Sequence, residues 1–139
     1  MNLVIDASVA IKWFVEEDLS EKALRLFDRR EPFCAPDLIV PEVTNIAWKK
    51  TIRGEIAEEQ ALEIAKAVQG DTLMLYPSVL LNDRALEIAL ALNHPVYDCL
   101  YIACAEAVGG VLITADQKLS NITKGSGFEK GVGLLQREA

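Results

Sequence analysis

Leu3-Val4-Ile5-Asp6-Ala7-Ser8-Val9 sets three uninterrupted apolar residues, two of them β-branched, directly before an acid, and then changes period. An apolar run without polar alternation fits a strand buried on both faces, the habit of parallel sheets. Residues 2–6 therefore read as an interior strand, and Ser8 as the N-cap of a short helix over 8–15. A second stretch repeats the pattern: Val111-Leu112-Ile113-Thr114 runs through Ala115 into Asp116, with a short helix expected over 115–122.

Working outward, Ser20 caps a helix over 21–30, and Pro32-Phe33-Cys34-Ala35-Pro36 is a brief strand bracketed by prolines. Asp37 or Pro41 opens a helix to about Arg53, stopped by Gly54, and a helix over 57–69 is stopped by Gly70. Residues 72–76 read as a strand ended by Pro77. Ser78 is the expected cap of a helix over 79–93, broken by Asn93-His94-Pro95. A helix over 97–108 closes at Gly109-Gly110, and a weak edge strand is expected near 132–135. Strands alternating with helices imply a doubly wound α/β fold with a parallel sheet.

The 139 residues suit a single domain over 1–139, and about half are apolar, enough for a sizeable core. Cys34, Cys99 and Cys104 form no CxxC pair and are odd in number, so they read as reduced core thiols of a cytosolic protein. No basic segment precedes the first apolar run and no apolar run approaches a bilayer's thickness, so neither an export signal nor a membrane span is expected, and the localisation is read as cytoplasmic. A formal charge of −7 argues against a general nucleic-acid-binding module, which carries a positive footprint.

Ligands of open parallel sheets bind beyond the carboxyl ends of the strands. Asp6 and Asp116 both emerge there, although an acid at a strand–helix turn can also simply cap its helix. Asp98 heads the apolar stripe Asp98, Tyr101, Ile102, Ala105 of a helix with one other charge, Glu106. No Lys or Arg follows it nearby, and a desolvated carboxylate needs a partner, so a metal or a distant cation is expected. Glu42 shares a stripe with Asn45 and Lys49, which alone reads as a solvated face; its functional reading has the stripe facing the cleft, with Asn45 orienting the carboxylate. Carboxylates select hard cations such as Mg²⁺ or Mn²⁺, and a cluster of them suits phosphodiester hydrolysis.

Other chemistries lack their parts. The single histidine, His94, sits in an Asn-His-Pro turn and reads as a turn residue without a role. There is no GxGxxG or GxxxxGK[ST], and Gly125-Ser126-Gly127 reads as a turn. Trp13 and Trp48 are expected to pack on helix surfaces.

Four strings together, Val4-Ile5-Asp6-Ala7-Ser8-Val9, Pro41-Glu42-Val43-Thr44-Asn45, Tyr97-Asp98-Cys99-Leu100-Tyr101-Ile102-Ala103 and Thr114-Ala115-Asp116-Gln117-Lys118-Leu119, resemble the PIN-domain family, above all its VapC-type toxin branch, over nearly the whole chain. The resemblance implies a three-layer α/β/α sandwich with a central parallel sheet and a Mg²⁺- or Mn²⁺-dependent endoribonuclease acting on an RNA substrate. It implies that Asp6, Glu42, Asp98 and Asp116 form the acidic quartet, with Asp6 and Asp98 the firmest metal ligands. Ser8, Asn45 and Thr114 match accessory polar positions. It further implies a cognate antitoxin protein, whose peptide enters the acidic cleft, and a homodimer. Lys12, Lys49, Lys50, Arg53 and Lys118 are the candidates for phosphate contact. Two alternatives remain open: a catalytically silent PIN-like protein-binding module, and a phosphoryl-accepting regulatory domain.

Overall fold

Leu3, Val4 and Ile5 are no more than 1% exposed and form β1 (Leu3–Ile5), the middle strand of a five-stranded parallel sheet. The computed structural model describes residues 2–138. β1 pairs on one side with β2 (Phe33–Pro36), which pairs with the edge strand β3 (Met74–Tyr76). On its other side lies β4 (Val111–Thr114), followed by β5 (Val132–Leu134), so the expected weak edge strand near 132–135 is present. The order β3-β2-β1-β4-β5 means that the chain steps outward from β1, then crosses back to its opposite flank. The sheet therefore changes direction between β1 and β4, and a crevice opens beyond their carboxyl ends.

The helices are α1 (Ala7–Phe14), α2 (Ser20–Arg25), α3 (Ile39–Ile52), α4 (Glu58–Ala67), α5 (Asn82–Leu92), α6 (Val96–Val108) and α7 (Gln117–Thr123). α6 is buried from Cys99 through Ala105 and packs across β1, β2 and β4, with α5 laid against it. α1 packs on β4 and carries α2 and α3. The layers make an α/β/α sandwich. Cys34, Cys99 and Cys104 are free and buried within it, and burial pushes the Cys104 thiol up to about 12. Trp13 does more than cover a helix: it stacks with Phe27 and Phe33 and donates its indole N–H to the Ala23 carbonyl at 2.9 Å.

Three expectations need correction. Ser8 does not cap α1; the cap is Asp6, whose carboxylate accepts the Val9 N–H at 3.2 Å. The helix expected over 21–30 with Ser20 as its cap instead starts at Ser20, behind a left-handed Leu19, is regular only to Arg25 and tightens into a 3₁₀ turn at Leu26–Asp28. Ser78 does not cap α5, because its N–H and hydroxyl both donate to the Asp37 carboxylate. That cross-link holds Ser78–Leu80 in a 3₁₀ turn, and α5 begins only at Asn82. Asp37 is thereby spent on Ser78, and α3 starts at Ile39 with Pro41 in its first turn, where a missing N–H costs nothing. The break between α5 and α6 falls where expected, with Asn93 left-handed at φ 53° and Pro95 preceding α6.

Candidate active site beyond the central strands

Asp6 leaves β1 into the crevice and is 7% exposed. The Ser8 hydroxyl donates to its Oδ1 at 2.6 Å beside the Val9 amide. Burial pushes the Asp6 carboxyl up to about 6; the Ser8 and Thr114 hydroxyls and the Val9 amide oppose the rise, and the charge of Asp98 adds to it. Ser8 Oγ also accepts the Ala115 N–H at 3.0 Å and lies 3.5 Å from Thr114 Oγ1, which accepts the Asp116 N–H at 3.0 Å. Thr114 is fully buried. These bonds tie the turn after β1 to the turn after β4, so Asp6, Ser8 and Thr114 come together as one polar unit.

Glu42, on the first turn of α3, is half-buried, and the Tyr101 hydroxyl donates to its Oε1. Tyr101 is 1% exposed. Burial raises the Glu42 pKa, the Tyr101 bond opposes this, and the charge of Asp98 raises it further. Tyr101 itself is held far above the usual phenol range by burial and by the charges of Glu42, Asp6 and Asp98. Glu42 thus touches this buried phenol, and Asp6 and Asp98 lie near enough for their charges to act on it. The expectation had Asn45 orienting Glu42; Asn45 is exposed one turn along α3, and the partner of Glu42 is Tyr101.

Asp98 stands on the first turn of α6, and its Oδ2 lies 2.6 Å from Nε2 of His94. A residue read as an idle turn histidine is therefore the neighbour of a site carboxylate, and the cation sought among lysines and arginines is replaced by an imidazole. Asp116 is placed differently from the other three acids. Its Oδ1 accepts the Lys118 and Leu119 amides at 2.9 and 3.3 Å, capping α7 as the plain reading of a strand–helix turn allows. Of the candidate phosphate contacts, Lys12 and Lys50 are both committed to Glu17, at 2.7 and 2.6 Å.

Among the described residues, no three His, Cys, Asp or Glu side chains converge as a ready metal cluster. The donors nonetheless fit a hard divalent cation. They are all oxygen, and Mg²⁺ is commonly held by one or two carboxylates, its remaining positions going to water and substrate phosphate. The charge of Asp98 raises both Asp6 and Glu42, the repulsion that a cation would reverse.

The profile of the PIN domain matches residues 3–125. The chain is 36% identical over 126 residues to ribonuclease VapC3 of Pyrobaculum aerophilum, covering 86% of this chain and 93% of that one. Its fold is similar to that of VapC20 of Mycobacterium tuberculosis, described as a sarcin-ricin loop cleaving toxin, with a TM-score of 0.69 at 14% identity over 86% of this chain and 94% of that one. It is also similar to a chain of VapBC2 from Rickettsia felis, solved bound to a DNA fragment from their promoter, with a TM-score of 0.63 at 12% identity over 96% and 98%. The sheet order, the four sequence strings and these likenesses agree, and the chain belongs to the PIN-domain family.

Proposed function

We propose that this protein is a divalent-metal-dependent endoribonuclease, the toxin of a type II toxin–antitoxin pair, built as one PIN-like domain over residues 1–139. The observation that carries the reading is the placement of Asp6 at the end of β1, Glu42 on the first turn of α3 and Asp98 on the first turn of α6, with Tyr101 of α6 bonded to Glu42, beyond the strand ends where the sheet changes direction. The similarity to a protein named a ribonuclease supports RNA as the substrate, and the VapBC2 likeness supports a cognate antitoxin partner. A homodimer and a cytoplasmic location complete the proposal.

Asp6 and Asp98 would hold Mg²⁺ or Mn²⁺. When bound, such a metal lowers the pKa of a water nucleophile and stabilises the leaving oxygen of a phosphodiester. The chain's own groups do the rest. Ser8 and Thr114 fix the Asp6 carboxylate against its neighbours. Tyr101 ties one oxygen of Glu42, leaving the other to take a proton from the attacking water, and the raised pKa of Glu42 brings it nearer the working pH of a general base. Asp116 orders the turn after β4 by capping α7, and Asn45 stands exposed one turn beyond Glu42 on α3 as an accessory polar position.

The test is cleavage of a fluorophore-quencher RNA by protein purified free of any antitoxin. Mn²⁺ should stimulate cleavage, and Asp6→Asn and Asp98→Asn should each abolish it while retaining the fold. Absence of both Mn²⁺ binding at the cleft and cleavage of RNA pools would favour a silent binding module, and cleavage surviving both substitutions would remove these acids from the mechanism.

A further inference from the structure

We infer that His94 is a positioning residue of the acidic site, donating its Nε2–H to Asp98 and thereby fixing which carboxylate oxygen faces the metal. The inference rests on the reading above, in which Asp98 is a metal ligand. Three observations support it. The His94 side chain is 7% exposed whereas Asp98 is 37% exposed, so the imidazole approaches from the protein side and leaves the other oxygen toward the crevice. The contact, at 2.6 Å, is well within hydrogen-bond distance, and a carboxylate can only accept from the ring nitrogen that faces it. The backbone also holds the imidazole in place. The His94 N–H bonds the Ala89 carbonyl at 3.1 Å, Asn93 before it is left-handed at φ 53°, and Pro95 after it restricts its backbone. The Cys99 thiol approaches the His94 carbonyl at 4.0 Å, tying the turn to α6.

The chemistry needs such a group. Asp98 faces two other carboxylates, whose repulsion would turn it away from the crevice. A hydrogen bond to Oδ2 opposes that rotation, and it acts through donation rather than charge. Partners of this kind that orient metal ligands are worth about 10–100-fold in affinity. An amide that reaches the position of Nε2 should therefore replace the imidazole.

The experiment is titration of the untagged full chain with MnCl₂ by calorimetry, in wild-type protein and in His94→Ala, His94→Asn and His94→Gln. Mn²⁺ affinity should fall about 10–100-fold in His94→Ala and His94→Asn, whose side chains cannot reach Asp98, and return to within about threefold of wild type in His94→Gln. Unchanged affinity in the first two, or a loss in His94→Gln as large as in His94→Ala, overturns the inference while leaving the metal site standing. Absence of any Mn²⁺ binding by wild type overturns the reading of the site itself. Because His94 is the only histidine in the chain, ¹⁵N spectra of wild type give an answer independent of how the variants fold. The imidazole should be the Nε2–H tautomer, and its resonances should move with Mg²⁺ along the binding curve that a parallel MgCl₂ titration of wild type gives by calorimetry. An Nδ1–H tautomer, or resonances indifferent to Mg²⁺, overturns the inference.

Discussion

Asp6 is held ionised at neutral pH against a strong opposing effect, and that makes its cost measurable. Its folded pKa of about 6 lies above the ordinary carboxyl value of 3.8, chiefly through burial. A raised carboxyl contributes no deficit at a pH below the unfolded value, where both states hold the proton; stability is then lost as pH rises through the folded value. At about 1.4 kcal/mol per unit, the loss above pH 7 is roughly 3 kcal/mol in metal-free protein. Asp6→Asn, which keeps an acceptor for Ser8 and Val9, should match wild type in urea denaturation near pH 4 and exceed it by roughly 1–3 kcal/mol at pH 8 in EDTA. An equal difference at both pH values would refute the account. At this same scale lies what the sequence did not disclose. Asp6 was legible because a buried apolar run ended on it. Tyr101 was visible only as an apolar stripe residue, since its partner Glu42 is 59 positions away and the contact exists only once α3 and α6 both pack on the sheet. His94 did carry a local signal: it precedes Asp98 by four residues across a proline, a separation that a turn entering a helix can close.

At the scale of elements, the two halves of the site depend on the register of β1 against β4, which pairs Leu3 with Val111 and Ile5 with Ile113. That register begins at a tight approach. A Cβ on Gly110 would lie 2.1 Å from the Asn2 carbonyl oxygen, so no side chain fits without moving backbone. The preceding Gly109 closes α6 in the left-handed conformation at φ 64°. Gly110→Ala should therefore destabilise the protein by roughly 1–3 kcal/mol, as overpacking does, and should also loosen the Ser8–Ala115 link between the two turns. Hydrogen exchange would show this as lost protection at Ala115 and Asp116 beyond the global change. A uniform change, or none, would separate the strand register from the site. The periodicity that made β1, β4 and α6 legible is strong because these elements are buried on nearly all sides. β3 was legible as a strand but shorter than its 72–76 run, and the start of α5 was misread, because a side chain 41 positions away, Asp37, claims Ser78.

For the molecule as a whole, the formal charge of −7 fits poorly with a polyanionic substrate, and the structure sharpens that conflict. Lys12 and Lys50, 10% and 14% exposed, are consumed by Glu17, which bridges α1 to α3. Of the basic residues picked out from the sequence, that leaves Lys49, Arg53 and Lys118, all exposed, to meet phosphates. Each phosphate neutralised on a single strand contributes about −0.7 to the slope of log affinity against log salt. Three contacts give a slope of about −2, far shallower than for a general nucleic-acid-binding protein. Such a protein would take its affinity from the metal bridging acid to phosphate and from the shape of a chosen RNA. Binding of labelled RNA to Asp98→Asn should therefore be weak, with that shallow slope, since the substitution removes a proposed metal ligand but none of the cations. Wild-type protein, with Ca²⁺ in place of Mg²⁺ to hold the site without efficient turnover, should bind more tightly at every salt concentration and with nearly the same slope. A slope steeper than about −5 would require a basic surface beyond these three side chains, and equal affinity in the two proteins would mean that metal does not join the acids to the RNA.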